Sequence, residues 1–267
     1  AERRCTTIPG LNPLSLETWM VYLQVLARMI GIVFFFPFFN WRGVPVLVRI
    51  WLAMILALLI FASLGEGDYY YPTGGVEAVG VILKEALTGL TLGYLVMLFF
   101  SLFLAAGQFI DLKAGLLMAG EFNPQFGNQV TLTGQLYYLV ALIFYLTVNG
   151  HHYLLKAAAD SFNLIPLGTG LFKAELTGGL VRIFGDIFVL AFQLSAPVIL
   201  VLLLVDFALG LLAKTVPQIH VFVEGLPLKI ALSMVLVAIL LPFMGGAFES
   251  LMDNFSTQLY DFMQGWF

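Results

Sequence analysis

The stretch GQFIDLKAGLLMAGEFNPQFGN, from Gly107 to Asn128, joins two long apolar runs and is itself no ordinary polar loop. Gly107, Gly115, Gly120 and Gly127 are spread among Phe109, Ile110, Leu112, Leu116, Leu117, Met118 and Phe122. Glycine frees the backbone and lets chains approach closely, while apolar side chains at this density are costly to leave in water. Such a connector is either a fixed re-entrant linker or an enclosed segment that changes shape.

The runs on either side decide the fold. Val76 to Ala106 precedes the connector and Val130 to Val148 follows it. Further apolar runs cover Leu14 to Phe39, Val46 to Leu64, Gly179 to Ala213 and Leu228 to Phe243. Of the 267 residues, 61% are hydrophobic and only 10% charged, against ~25% charged in soluble domains. Mean hydropathy is +0.98. Runs this long and continuous predict membrane-inserted helices rather than the alternating strands of a membrane barrel. The expected fold is all-α: an integral membrane bundle of long kinked helices and helical hairpins, with about six hydrophobic segments.

Some details depart from simple spans. At 1.5 Å per residue the run from Val76 to Ala106 extends roughly 45 Å, more than a bilayer core requires. Pro197 inside the run from Gly179 to Ala213 predicts a kinked or split helix. The segment from His151 to Leu176 is mixed in polarity and includes the compact loop SFNLIPLGTG. Lys and Arg are balanced between the two sides, so their count does not orient the chain. Arg3 and Arg4 precede a run too long for a signal-peptide core, so that run is expected to be retained.

The tail differs. Phe248, Leu251, Met252, Phe255, Leu259, Phe262, Met263 and Trp266 recur at three- and four-residue steps, which makes 248–267 an amphipathic helix. Its polar face carries acids and no bases, which disfavours an anionic membrane surface. The Phe-rich stripe is expected to dock on a partner subunit, an interfacial helix being the alternative.

Ionisable groups inside apolar runs are expensive unless paired. Here they are Arg28, Lys84, Glu85, Arg182, Asp186 and Asp206. Arg182 and Asp186, four apart, can satisfy each other, and Arg28 has Glu85 or Asp186 as a cross-helix partner. Such groups serve a proton relay or structural pairing, and pairing is the commoner case.

Little points to catalysis. Adjacent His151 and His152 project about 100° apart on a helix and do not easily grip one ion, and His220 stands alone. Asp111 lacks a second carboxylate nearby, and Ser161 and Ser195 lack a nucleophile-elbow context. A single cysteine, Cys5, excludes an internal disulfide. The formal net charge of −4 gives no nucleic-acid footprint. No enzyme activity, metal or cofactor is expected.

Several motifs in order resemble the FliR/SctT family of the bacterial flagellar and type III secretion export gate. They are Arg28 with Pro37, Val44-Pro45 with Arg49, and Ala106-Gly107-Gln108-x-Ile110-Asp111-x-x-x-Gly115-Leu116. Then come Phe144-x-x-x-x-Asn149-Gly150-His151, Ser161-Phe162 with Ile165-Pro166, and Ala196-Pro197. Last is Gly210-Leu211-Leu212 leading to Val216-Pro217-Gln218-Ile219-His220-Val221-Phe222-x-x-Gly225-x-Pro227. The resemblance implies an inner-membrane export-gate subunit assembled with FliP-like and FliQ-like subunits and contacted by FlhB. It implies a FliP-like part over 14–176 and a FliQ-like hairpin part over 177–247, followed by the tail helix. The loop matching 107–128 would belong to the plug of a channel for unfolded flagellar subunits or effectors. Gly115, Leu116, Leu117, Met118, Ala119, Gly120 and Phe122 are then the expected plug residues. Pro217, Phe222, Gly225 and Pro227, with Phe255 and Phe262 of the tail, are the expected partner contacts. A secondary transporter with broken helices and a non-conducting membrane scaffold are the alternatives.

Overall fold

The computed structural model describes residues 16–37, 44–64, 70–72, 74–117, 131–170, 174–215 and 221–265, the last two beginning with backbone-only stretches at 174–177 and 221–224. Every regular element in them is helical: α1 (Leu16–Phe34), α2 (Val46–Ser63), α3 (Gly75–Ala114), α4 (Leu132–Thr147), α5 (Gly150–Leu164), α6 (Ala174–Thr215), α7 (Val221–Leu240), a 3₁₀ turn (Leu241–Phe243) and α8 (Met244–Gln264). Among the described residues, five helical segments are long and apolar enough to cross a membrane. The broken pair α4 and α5 makes a sixth if it is one span. The protein is a membrane-embedded helical bundle.

Several boundaries differ from those expected. α3 runs to Ala114, so the first eight residues of the supposed connector are helix. The reason is packing: Ala106, Ile110, Asp111 and Ala114 continue the buried face of the helix, which outweighs the ~1 kcal/mol cost of Gly107 in a helix interior. α5 takes up most of the segment from His151, leaving a short turn after Leu164. α6 is a single helix of 42 residues with Pro197 inside it, and α7 begins before Pro227 rather than after it. At 1.5 Å per residue α3 and α6 reach about 60 Å, roughly twice a bilayer core.

The chain divides into two compact units, 1–97 with 150–181 and 256–267, and 98–149 with 182–255. In the first, α1 packs on α2 and crosses α3 at glycines. A methyl group on Gly31 would lie 2.8 Å from the Ala86 carbonyl oxygen, one on Gly93 would lie 2.9 Å from that of Gly31, and one on Gly89 would strike the backbone of Arg28. Small residues at such a crossing let helices approach to backbone contact, the usual way of packing helices where lipid removes the hydrophobic driving force.

That closeness delivers Arg28 to Glu85. The guanidinium Nε donates to Glu85 Oε2 at 2.6 Å, Nη2 lies 2.6 Å from the same oxygen with both side chains fully buried, and Nη1 donates to the Ser161 carbonyl at 2.9 Å. The Phe162 ring covers the cation, 4.4 Å from Cζ to the ring centre. Glu85 Oε1 accepts the Gly168 N–H at 2.8 Å. One ion pair therefore ties α1, α3, α5 and the following turn together, with its lone pairs and protons largely spent on protein groups.

The second unit is aromatic. Phe99 stacks on Phe255 at 4.6 Å, and Phe248 meets both Phe103 at 5.6 Å and Phe144 at 6.1 Å. The tail stripe is shared between the units: Phe248, Met252 and Phe255 are buried residues of the second, and Leu259, Phe262 and Met263 are buried residues of the first. By contrast α2 buries only Ala53 and Ala57 and exposes Leu47, Trp51, Ile55, Leu58 and Leu59, a surface suited to lipid or protein and not to water.

Two outcomes are expected. Gly89→Ala forces α1 from α3 and destabilises the fold by about 1–3 kcal/mol. Gly80→Ala, with open space around it, costs nothing measurable by thermal unfolding in detergent. Removing one member of the buried pair, Arg28→Met or Glu85→Leu, costs about 3–5 kcal/mol, while the double variant with both changes costs less than the two single changes summed. A double-mutant cycle of the same melting curves measures this, and strict additivity would contradict the pairing.

Candidate functional site

The connector is defined by the helices that enter and leave it, both in the second unit. A methyl group on Gly107 of α3 would strike the backbone of Thr133 and Gly134, and one on Gly134 of α4 would lie 2.8 Å from the Leu104 carbonyl oxygen. The two helices meet there backbone to backbone. One turn further along α3, the buried carboxylate of Asp111 accepts the Thr133 N–H, at 3.0 Å to Oδ2 and 3.3 Å to Oδ1. Thr131, the residue ahead of α4, makes no side-chain cap of its own. Asp111 supplies that cap from another helix, satisfying an otherwise orphaned donor and placing negative charge at the positive end of α4.

Gly115 ends α3. Its φ of +85° is the left-handed conformation that stops helices and that side chains resist. Its N–H bonds the Leu112 carbonyl at 3.3 Å. Leu226 of α7 presses on it, with Cδ1 only 2.7 Å from where a methyl group would stand. Leu116 and Leu117 follow, both half-buried. The other expected plug residues, Met118, Ala119, Gly120 and Phe122, lie outside the described residues. Thr131, buried, is where the described chain resumes.

Beside this entry sits an ion cluster. Asp206 of α6 receives Lys113 of α3 at 2.7 Å on Oδ2 and Lys229 of α7 at 2.9 Å on Oδ1. Sequence reasoning singled out Asp206 without its partners, and no helical spacing could have supplied them, since the three groups come from three helices. Their signal was the cost of a carboxylate in an apolar run, which demands a cation from somewhere.

Other expected sites fall as follows. Arg28 meets Glu85 rather than Asp186. Among the described residues no ion pair joins Arg182 to Asp186; Arg182 is exposed and Asp186 half-buried. Base before acid is the weaker order for an i,i+4 pair, worth only a few tenths of a kcal/mol. Of the expected partner contacts, Pro217 and the Phe222 side chain lie outside the described residues. Gly225 is buried with Leu209 against it, and Pro227 is exposed. Phe255 stacks on Phe99, and Phe262 lies against Gly179, 3.2 Å from where a methyl group would stand. An amphipathic stripe reports burial but not whose surface buries it, and here the chain supplies its own.

The rings of His151 and His152 lie 4.2 Å apart, and among the described residues no group of three or more His, Cys, Asp or Glu is placed to hold a metal ion. Outside the spans, Tyr70 donates its hydroxyl to Glu77, and that bond raises its pKa above the ordinary phenol value.

Known proteins share this layout in sequence. The flagellar biosynthetic protein FliR of Bacillus subtilis (strain 168) is 38% identical over 229 residues, which cover 84% of this chain and 87% of that one. The FliR proteins of Pectobacterium carotovorum subsp. carotovorum and Escherichia coli (strain K12) are each 29% identical, over 94% and 92% of this chain and 96% and 95% of their own lengths. The model of the family described as bacterial export proteins, family 1, matches residues 19–255. Most of the chain, including α3, the connector and the Asp206 cluster, lies within that match, and the chain belongs to this family of bacterial export proteins.

Proposed function

We infer that this chain is a subunit of the flagellar protein-export gate in the bacterial inner membrane, and that its segment from Gly115 to Phe122 closes the protein-conducting channel. Family membership and the flagellar relatives support the first half. The observation that carries the second is the way the connector is mounted. Its two ends are held together by the Gly107–Gly134 contact and by Asp111 on Thr133, while the residues between are apolar and punctuated by glycine. Flexible apolar side chains seal an opening by excluding water rather than by bonding an ion.

In this reading the FliP-like part is 14–176 and the FliQ-like part 177–247, although each compact unit draws on both. FliP-like and FliQ-like subunits complete the channel, FlhB contacts it, and unfolded flagellar proteins pass through. Exposed apolar surface on α2 and on α6, at Phe184, Phe188 and Phe192, is available to lipid and to those partners. The chain contributes structure to the export apparatus, and family membership displaces a small-substrate transporter.

Deleting Gly115 to Phe122 is expected to raise small-ion leak through the assembled complex several-fold, measured as conductance in reconstituted bilayers. An unchanged leak in a complex that still assembles would remove the plug assignment. Gly115→Ala, forced into a left-handed backbone at about 1–2 kcal/mol, is expected to raise leak less than the deletion and to reduce swimming motility.

A further inference from the structure

We propose that Arg49 of α2 binds the phosphate of a membrane phospholipid whose acyl chains lie along the outward face of the same helix. Arg49 stands in the first turn of a helix apolar enough to cross a membrane, and it is the only charged residue of that helix. It lies one and two turns ahead of Ala53 and Ala57, the buried positions of α2, and is itself half-buried. Its Nε is buried and has no hydrogen-bond partner among the described residues. A cation so placed is costly without an anion.

Among the described residues no carboxylate pairs with it, the ion pairs being those of Arg28 and of Asp206. The helix packed on α2 is α1, whose single acid, Glu17, is in its first turn. The two helices are antiparallel: Tyr22, near the start of α1, meets Phe61, near the end of α2, with ring centres 5.8 Å apart. Glu17 and Arg49 therefore lie at opposite ends of the pair, about 18 Å or more apart along the axis. Elsewhere in the first unit Glu85 holds Arg28, Glu77 accepts from Tyr70 and Asp160 accepts from Tyr260.

The surface around Arg49 points to the missing anion. Val46 and Val48 beside it are exposed, and Trp51, Ile55 and Leu59 are each more than half exposed. From Trp51 to Leu59 the helix rises about 12 Å, within the roughly 15 Å of hydrocarbon in one leaflet. A phospholipid presents one anionic phosphate with hydrocarbon below it, the same order of groups as this surface. Arginine matches phosphate oxygens well, the positive end of α2 adds to the attraction, and tryptophan favours headgroup depth. A carboxylate of another protein would match the charge alone. Protein interfaces of ordinary size carry about ten hydrogen bonds, and α2 offers no other polar side chain before Ser63.

The test uses the assembled export complex, delipidated in detergent and titrated with phosphatidylglycerol, with bound lipid counted by native mass spectrometry. Arg49→Met is expected to hold one phospholipid fewer per copy of this chain, and Arg49→Lys to keep it with several-fold weaker affinity. Diacylglycerol, which lacks the phosphate, and inorganic phosphate, which lacks the chains, are expected not to compete. An unchanged lipid count on Arg49→Met overturns the site, and so does full competition by either of those two. Loss of a subunit from Arg49→Met also overturns it, because the cation then serves another protein's carboxylate. If that variant is not recovered, the parent decides, using phosphatidylglycerol with a photoreactive group beside its phosphate. An adduct between Val46 and Trp51 supports the site, and its absence overturns it.

Discussion

Gly107 and Gly134 let α3 and α4 touch backbone to backbone, and much else in the second unit follows from that approach. Any side chain at either position would strike main-chain atoms of the other helix. Because the helices are so close, Asp111 reaches the first turn of α4 and serves as its cap, a role the sequence neighbours of α4 leave unfilled. Because the two anchor points are neighbours, the segment between them begins and ends at one place. Across the first unit the same device recurs at Gly31, Gly89 and Gly93, where it brings a cation and a carboxylate together in the core.

The apolar runs, and the need of Arg28 for a carboxylate partner, were legible in the sequence for one reason: charge in a hydrophobic stretch is costly, and so is a long hydrophobic stretch in water; the choice of Glu85 over Asp186 came only with the helix packing. Physical cost of that size leaves a trace in composition. The end of α3 was not legible, because Gly107 reads as a breaker in sequence and as a contact surface in the fold. α5 was hidden by its mixed polarity, although Leu154, Ala157, Ala158, Ser161 and Phe162 share a buried face. The tail was recognised as amphipathic, but local spacing could not show that Phe255 stacks on Phe99 and Phe262 lies near Gly179. The ion partners of Asp206 depend on which helices meet, and that information is absent from local spacing. Gly115 ends α3 with a positive φ and a leucine pressed against it, neither of which local spacing foretells.

The overlong helices and the exposed apolar faces belong together. α3 and α6 exceed a bilayer core in length, and α2 turns most of its side chains outward. A chain with so much unspent apolar surface is built for an assembly inside or against lipid, as a subunit of an export apparatus is. Among the described residues, ion pairs form at two places of opposite character, one sealed in the core and one half-open beside the end of α3.

The most direct test asks whether the connector touches what passes through the channel. The chain has one cysteine, so Leu117→Cys on a Cys5→Ser background gives a single reactive thiol at the base of the segment. In the assembled complex, this thiol should crosslink to an export substrate stalled in transit and find no substrate partner in the idle channel. No adduct with a stalled substrate, in a complex that assembles and exports normally, would contradict the account.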